Sequence, residues 1–164
     1  MFLDIEGEKI MLHISICDDE RIAVEKMQRI VENVLEQEHL LVKLETFENG
    51  EEFLKQYVIR DDELVILDLD MPVKNGIDVL QELEKIQRNE VVILVTAYDN
   101  LALKTFSYGP FQIVRKEQME EDLPKAIGRF LNIRKRNQEE LEFRIKGELI
   151  HVKLEDIVYF EKYK

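Results

Sequence analysis

Short apolar runs alternate along the chain with longer stretches in which apolar residues recur every three or four positions. Met11–Ile16 reads as a short buried strand. From Glu20 to Glu38, apolar residues at 23, 27, 30, 31 and 34 trace one stripe of a helix. Val42–Phe47 is a second strand, closed by Glu48-Asn49-Gly50, and Glu51–Tyr57 is a short helix. Leu64–Leu67 is an unbroken apolar run between acidic residues, the pattern of a strand buried on both faces of a parallel sheet. A loop punctuated by Met71-Pro72 and Asn75-Gly76 leads to a helix over Ile77–Ile86, with Val79, Leu80, Leu83 and Ile86 inward. Val91–Val95 is a fourth strand, Leu101–Phe106 a weak, short helix, Tyr108-Gly109-Pro110 a turn and Phe111–Val114 a fifth strand. The last helix is predicted to begin near Asp122, with Pro124 in its first turn, where a missing N–H is tolerated. It ends in the mixed stretch Arg134–Glu140. Strands and helices in this alternation predict an α/β fold, a doubly wound five-stranded parallel sheet.

Both ends of the chain break the pattern. Residues Met1–Ile10 show no period and read as an N-terminal extension, with folded structure starting at Met11. After Glu140 the signal turns β-rich: Leu141–Ile145 alternates, Lys146-Gly147-Glu148 is a turn, Leu149–Val152 is a strand and Ile157–Phe160 another apolar run. Two or three strands cannot bury a core alone, so this is expected to be a short β-rich fragment or appendage. The expected division is 1–10, 11–137 and 138–164.

At 164 residues the chain is long enough for one domain with a real core plus a remnant. The formal net charge of -12 disfavours nonspecific attraction to nucleic acid or anionic lipid. The one cysteine, Cys17, excludes an intrachain disulfide and suits a reducing compartment. No apolar run approaches the roughly 20 residues a membrane-spanning helix needs. Asp4, Glu6 and Glu8 stand where a secretory signal would be basic and then apolar. A soluble, cytoplasmic protein is expected.

The chemistry sits where strands end. Asp18-Asp19 follow the first strand, Asp68 closes the third, Thr96 follows the fourth and Lys116 follows the fifth. In a parallel sheet all those ends share one edge, where ligands bind. The edge would therefore gather three carboxylates, a hydroxyl and an ammonium, a set able to hold Mg2+ and a phosphoryl group. A carboxylate attacks phosphorus poorly because two anions must meet, and a divalent cation bridging them removes much of that repulsion. Asp68 is assigned as nucleophile, Asp19 as the second direct metal ligand and Asp18 as a ligand acting through water. Lys116 would meet the incoming oxygens as a point charge and Thr96 would donate a hydrogen bond. Taken singly, each residue has a plainer reading. An Asp after a strand is commonly a turn former or helix N-cap, and acidic residues suit a helix start. The weight comes from all of them ending successive strands of one sheet.

With those residues placed, the chain resembles the receiver domain of two-component response regulators, a flavodoxin-like fold. Ile16-Cys17-Asp18-Asp19-Glu20 resembles that family's acidic pair, and Leu67-Asp68-Leu69-Asp70-Met71-Pro72-Val73-Lys74-Asn75-Gly76 its phosphoacceptor loop. Val95-Thr96-Ala97 matches the switch threonine, and Lys116 the lysine. The likeness spans about Met11 to Arg136. It implies Mg2+ on Asp19, Asp68 and the backbone carbonyl of Asp70. It also implies a sensor histidine kinase as phosphoryl donor, single-turnover self-phosphorylation rather than classical enzyme turnover, and homodimerisation through a surface within Asn100–Arg136. Two positions depart from the pattern. Glu117 replaces the proline usual after the lysine, and Ile113 replaces the aromatic that swings inward, with Phe111, Tyr108 or Tyr98 as substitutes. The tail, especially Leu154–Glu161, is similar to the opening of a LytTR-type DNA-binding domain. Residues that would contact DNA are absent from it, and Glu139, Glu140, Glu142, Glu148, Glu155, Asp156 and Glu161 offset its basic residues. DNA binding is expected only through a complete C-terminal domain, which would make the longer protein a transcription regulator.

Two other readings compete. Asp68-Leu69-Asp70 is an Asp-x-Asp pair of the kind haloacid-dehalogenase phosphatases use, but that class has its nucleophile on the first strand and no Met-Pro after it. A receiver used only as an unphosphorylated docking module is the other, and the complete acidic set argues against it. His13, His39 and His151 have no ligand spacing for zinc. Cys17 reads as a small buried side chain, and Arg134-Lys135-Arg136 as cations at a helix C-terminus, where the dipole favours them.

Overall fold

The computed structural model describes residues 11–57, 63–86, 90–97, 102–137, 140–145 and 148–153. The extension 1–10, Tyr98, Leu101 and the stretch 154–164 lie outside them. Strands β1 (Met11–Cys17), β2 (Leu41–Phe47), β3 (Glu63–Leu67), β4 (Val91–Thr96) and β5 (Gln112–Arg115) form one all-parallel sheet in the order β2-β1-β3-β4-β5. Four α-helices lie among the described residues: α1 (Arg21–Gln37), α2 (Gly50–Gln56), α3 (Gly76–Lys85) and α4 (Met119–Asn137). The chain divides into compact units at residues 126 and 127. In the second, β6 (Glu140–Ile145) and β7 (Glu148–Lys153) pair as an antiparallel hairpin.

Burial explains why the apolar runs become central strands. Leu64, Val65, Ile66 and Leu67 are all fully buried, as are Ile93, Leu94 and Val95 of β4. Strands covered by helices on both faces must be apolar on both. β2 lies at the sheet edge, and most of its residues are half-buried or exposed. One face of the sheet packs Val65, Leu67 and Leu94 against Phe53 of α2 and Val79, Leu80 and Leu83 of α3. α1 buries Ala23, Met27, Val31 and Leu35, a strict four-residue spacing.

Within the described residues the predicted strands and helices are present, with corrections; the Ile157–Phe160 run lies outside them. The inward stripe of α1 includes Leu35, while Ile30 and Val34 are only half-buried. Ile86 is not inward: it caps α3 and is 43% exposed. β5 starts at Gln112, one residue later than expected, and ends at Arg115. Between β4 and β5 the described residues hold a helical turn at Ala102–Leu103 and a 3-10 turn at Phe106–Tyr108, closed by Gly109 in the left-handed region (φ 59). The last helix begins at Met119, not near Asp122, because the 3-10 turn Lys116–Gln118 leads straight into it. Glu120, Glu121 and Asp122 then occupy its first turn, where the dipole favours anions. Pro124 therefore lies beyond the first turn, where its ring nitrogen has no proton for the Glu120 carbonyl.

The loop from Asp68 to Asn75 is held from several sides. Asn75 and Asp78 form a capping box at the start of α3, at 3.0 and 3.2 Å. Gly76 N–H donates to the Leu69 carbonyl, and Gly50 N–H, at the start of α2, donates to the Lys74 carbonyl. Lys74 N–H donates to the Pro72 carbonyl at 2.8 Å across Val73, whose φ is 67. That is a γ-turn with a β-branched residue in the left-handed region, a strained conformation. Val73 is 80% exposed, so little burial compensates it. Val73→Asn, which tolerates this region, is expected to raise the free energy of unfolding by about 1 kcal/mol. A urea midpoint shifted upward at constant slope is the measurement; an unchanged or lower midpoint contradicts it.

Candidate functional site

Register builds the site. Cys17 lies opposite Leu67 in the β1–β3 ladder, so Asp18 and Asp68, the next residues, emerge side by side. Asp68 N–H donates to the Cys17 carbonyl at 2.9 Å, continuing the ladder. This is where the chain connections reverse direction across the sheet, the crevice in which open α/β sheets bind ligands. Thr96 is the last residue of β4, 1% exposed, and pairs in register with Arg115. Lys116 follows Arg115 directly and opens the 3-10 turn before α4.

Asp18 and Asp68 are buried and Asp19 is exposed, and each offers an oxygen such that all three lie within 4.8 Å of one another. Lys116 Nζ stands 2.9 Å from Asp18 Oδ2 and 3.2 Å from Asp68 Oδ2. The remaining oxygens take backbone donors: Leu69 N–H gives to Asp68 Oδ1 and Glu20 N–H to Asp18 Oδ1, each at 2.8 Å. The Asp70 side chain is exposed and stands outside the group of three.

Burial and crowding set the charges. Burial, then the neighbouring Asp18 carboxylate, pushes the Asp68 carboxyl up to about 6 against the pull of Lys116. Burial also raises Asp18, again opposed by Lys116. For Lys116, burial alone would lower the ammonium, but Asp18 and Asp68 together outweigh it and hold it above its ordinary range. Cys17 is buried, with Sγ 3.6 Å from Met71 Sδ; burial and then the adjacent carboxylates push its thiol up to about 12, so it is inert.

The donor set fits a hard divalent cation. It is all oxygen and anionic, with two buried carboxylates and one facing solvent. Among the described residues Asp18 Oδ2 is buried and receives no hydrogen bond, leaving only its ion pair with Lys116. Beside it, a cleft of about 300 Å3 opens between α1 and β2, lined by Asp18, Asp19, Arg21, Gln28 and Glu48 among others.

Two contributions escaped the sequence reading. Glu20, read only as a helix start, also reaches Lys116 Nζ at 3.2 Å, and its position directly after the acidic pair was the available signal. Gly76 admits close approach of α3 to the Asp68 backbone. Ile113 is half-buried against the core, and Tyr108 lies against the same cluster, its hydroxyl accepting from Gln81 Nε2 at 3.1 Å. The peptide after Lys116 is trans.

Comparison with known proteins agrees with this geometry. A family model described as the response regulator receiver domain matches residues 14–128. The chain is 23% identical over 159 residues to the sensory transduction protein LytT of Bacillus subtilis, covering 91% of this chain and 64% of that protein. It is 32% identical over 127 residues to an uncharacterized response regulatory protein of Vibrio cholerae, covering 77% and 52%. The crystal structure of DrrB, a Thermotoga maritima OmpR/PhoB homolog, superposes with a TM-score of 0.62 at 26% identity, covering 87% of this chain and 67% of that one. The chain thus spans less than two thirds of the LytT protein, while the family match takes in more than half of the chain itself. It belongs to the response regulator receiver domain family of two-component systems.

Proposed function

We propose that Asp68 accepts a phosphoryl group from a phosphohistidine of a sensor histidine kinase, in a Mg2+-dependent step, and that the resulting change controls an attached output domain. One observation carries the reading: three carboxylates from the ends of β1 and β3 lie within 4.8 Å, with the Lys116 ammonium on the two buried ones. Asp18, Asp19, Asp68 and the backbone carbonyl of Asp70 would hold Mg2+, which would neutralise the repulsion between carboxylate and phosphoryl oxygens.

The residues divide the work. An Asp68 carboxylate oxygen forms the new P–O bond as the P–N bond to the donor imidazole breaks, and the imidazole keeps the electron pair and takes a proton from solvent. Leu69 N–H, on Asp68 Oδ1, fixes the carboxylate's orientation. Lys116 turns one donor to a phosphoryl oxygen, and Thr96 donates a hydrogen bond from its hydroxyl to another. Those contacts exist only in the phosphorylated state and so bias a two-state equilibrium. Homodimerisation through 100–136 is the proposed readout. DNA would be reached through a complete C-terminal domain, of which 138–164 is the start, with 11–137 as the receiver; the setting is the cytoplasm.

Acetyl phosphate with Mg2+ is expected to add one phosphoryl mass to the wild-type chain and none to Asp68→Asn. Equal uptake by Asp68→Asn would move the acceptor elsewhere. No observation favours the phosphatase reading: Asp68 follows the third strand and the Asp70 side chain points to solvent.

A further inference from the structure

The geometry points to Glu20 as a positioning residue: it holds one donor of Lys116 in the resting pocket and gives it up to the phosphoryl group. The inference rests on the phosphoacceptor reading of Asp68. An ammonium has three protons and no more. Lys116 Nζ faces three carboxylate oxygens, Asp18 Oδ2 at 2.9 Å, Glu20 Oε1 at 3.2 Å and Asp68 Oδ2 at 3.2 Å. Two of its donors are hydrogen-bonded, to Glu20 and Asp68, and Asp18 holds the ammonium by its charge alone, so Lys116 must give up a contact to turn toward an incoming phosphoryl oxygen.

The three partners are not equally easy to release. The Asp18 side chain is 0% exposed, and withdrawing Lys116 would strand a buried charge. Asp68 is still an anion when the donor approaches, and its side chain is 3% exposed. The Glu20 side chain is 66% exposed, so water replaces Lys116 there at little cost. Glu20 is thus the contact that yields. It sits at the N-cap position of α1, with no side-chain cap hydrogen bond to hold it back. It also adds a negative charge at the mouth of a pocket that must admit an anion.

Removing that charge while keeping the shape, Glu20→Gln, is expected to speed phosphorylation by acetyl phosphate and Mg2+ about three- to tenfold at low salt. The gain should shrink to within about twofold near 1 M salt, where exposed charges are screened. Nitrogen-15 spectra of the Lys116 ammonium supply a readout that does not depend on turnover. The Lys116 signal should differ between wild type and Glu20→Gln in the resting protein and coincide once beryllofluoride and Mg2+ occupy the site. An equal or slower rate for the variant, a salt-independent gain, or a resting Lys116 signal unmoved by the substitution would overturn the assignment. If wild type itself takes no phosphoryl group, the phosphoacceptor reading has failed instead.

Discussion

Metal-free protein is expected to lose stability as pH rises from about 4 to above 6, and Mg2+ to restore it only at the upper end of that range. The Asp68 carboxyl is pushed up to about 6 in the folded chain from an ordinary value of 3.8. Between those values the native state binds more protons than the unfolded state, so the free energy of unfolding falls with rising pH. A shift of roughly two pH units corresponds to about 3 kcal/mol, lost in full above the folded value. Asp18, also raised, adds in the same direction. Lowered carboxyls such as Glu51 and Glu82 act oppositely, but they belong to surface ion pairs that solvent screens. A divalent cation binds the ionised form, so its stabilisation should be large at pH 7.5 and small at pH 4.5.

Asp68→Asn separates this site from the general repulsion of a chain carrying a net charge of -12. The variant should melt higher than wild type at pH 7.5 without metal, with a flatter pH profile and a reduced response to Mg2+. Thermal melts at two pH values with and without Mg2+ make the comparison. A wild-type response to Mg2+ that is the same at pH 4.5 and 7.5 would contradict it.

The second large effect is steric. Gly76→Ala is expected to cost about 3 kcal/mol or more, a large share of a typical domain's stability. A Cβ at Gly76 would overlap the Asp68 carbonyl oxygen and lie 2.8 Å from Leu69 Cα, and both are backbone atoms that no rotamer change can move. Relief requires shifting either the first turn of α3 or the segment that orients Asp68, so phosphoryl uptake should fall together with stability. Gly128, in α4, is the control: an added Cβ meets nothing within 4 Å. Gly128→Ala should gain up to about 1 kcal/mol, as helix propensity dictates. Urea unfolding of both variants tests the contrast, and a Gly76→Ala protein as stable as wild type would refute the close approach.

How much was readable beforehand follows from how local each signal is. Leu64–Leu67 announced a central strand because a strand covered on both faces needs apolar residues at every position. Residues at strand ends could be assembled on one edge because parallel strands all point the same way. The start of α4 was harder, since Met119, its buried first residue, is separated from the next buried residue, Leu123, by three acidic residues. Ile86 has the right spacing for an inward position, yet α3 ends just before it. Periodicity reports a helical face but not where the helix stops.

By itself the sequence determined the α/β alternation, the apolar strand cores and the identity of the residues at the strand ends, all of which depend on near neighbours in the chain. Only the tertiary structure decided that Glu20 meets Lys116 across 96 positions, that burial lifts Asp68, and that Gly76 presses on the Asp68 backbone. Those depend on distance and dielectric, which arise when separate elements pack and which no local pattern of residues encodes.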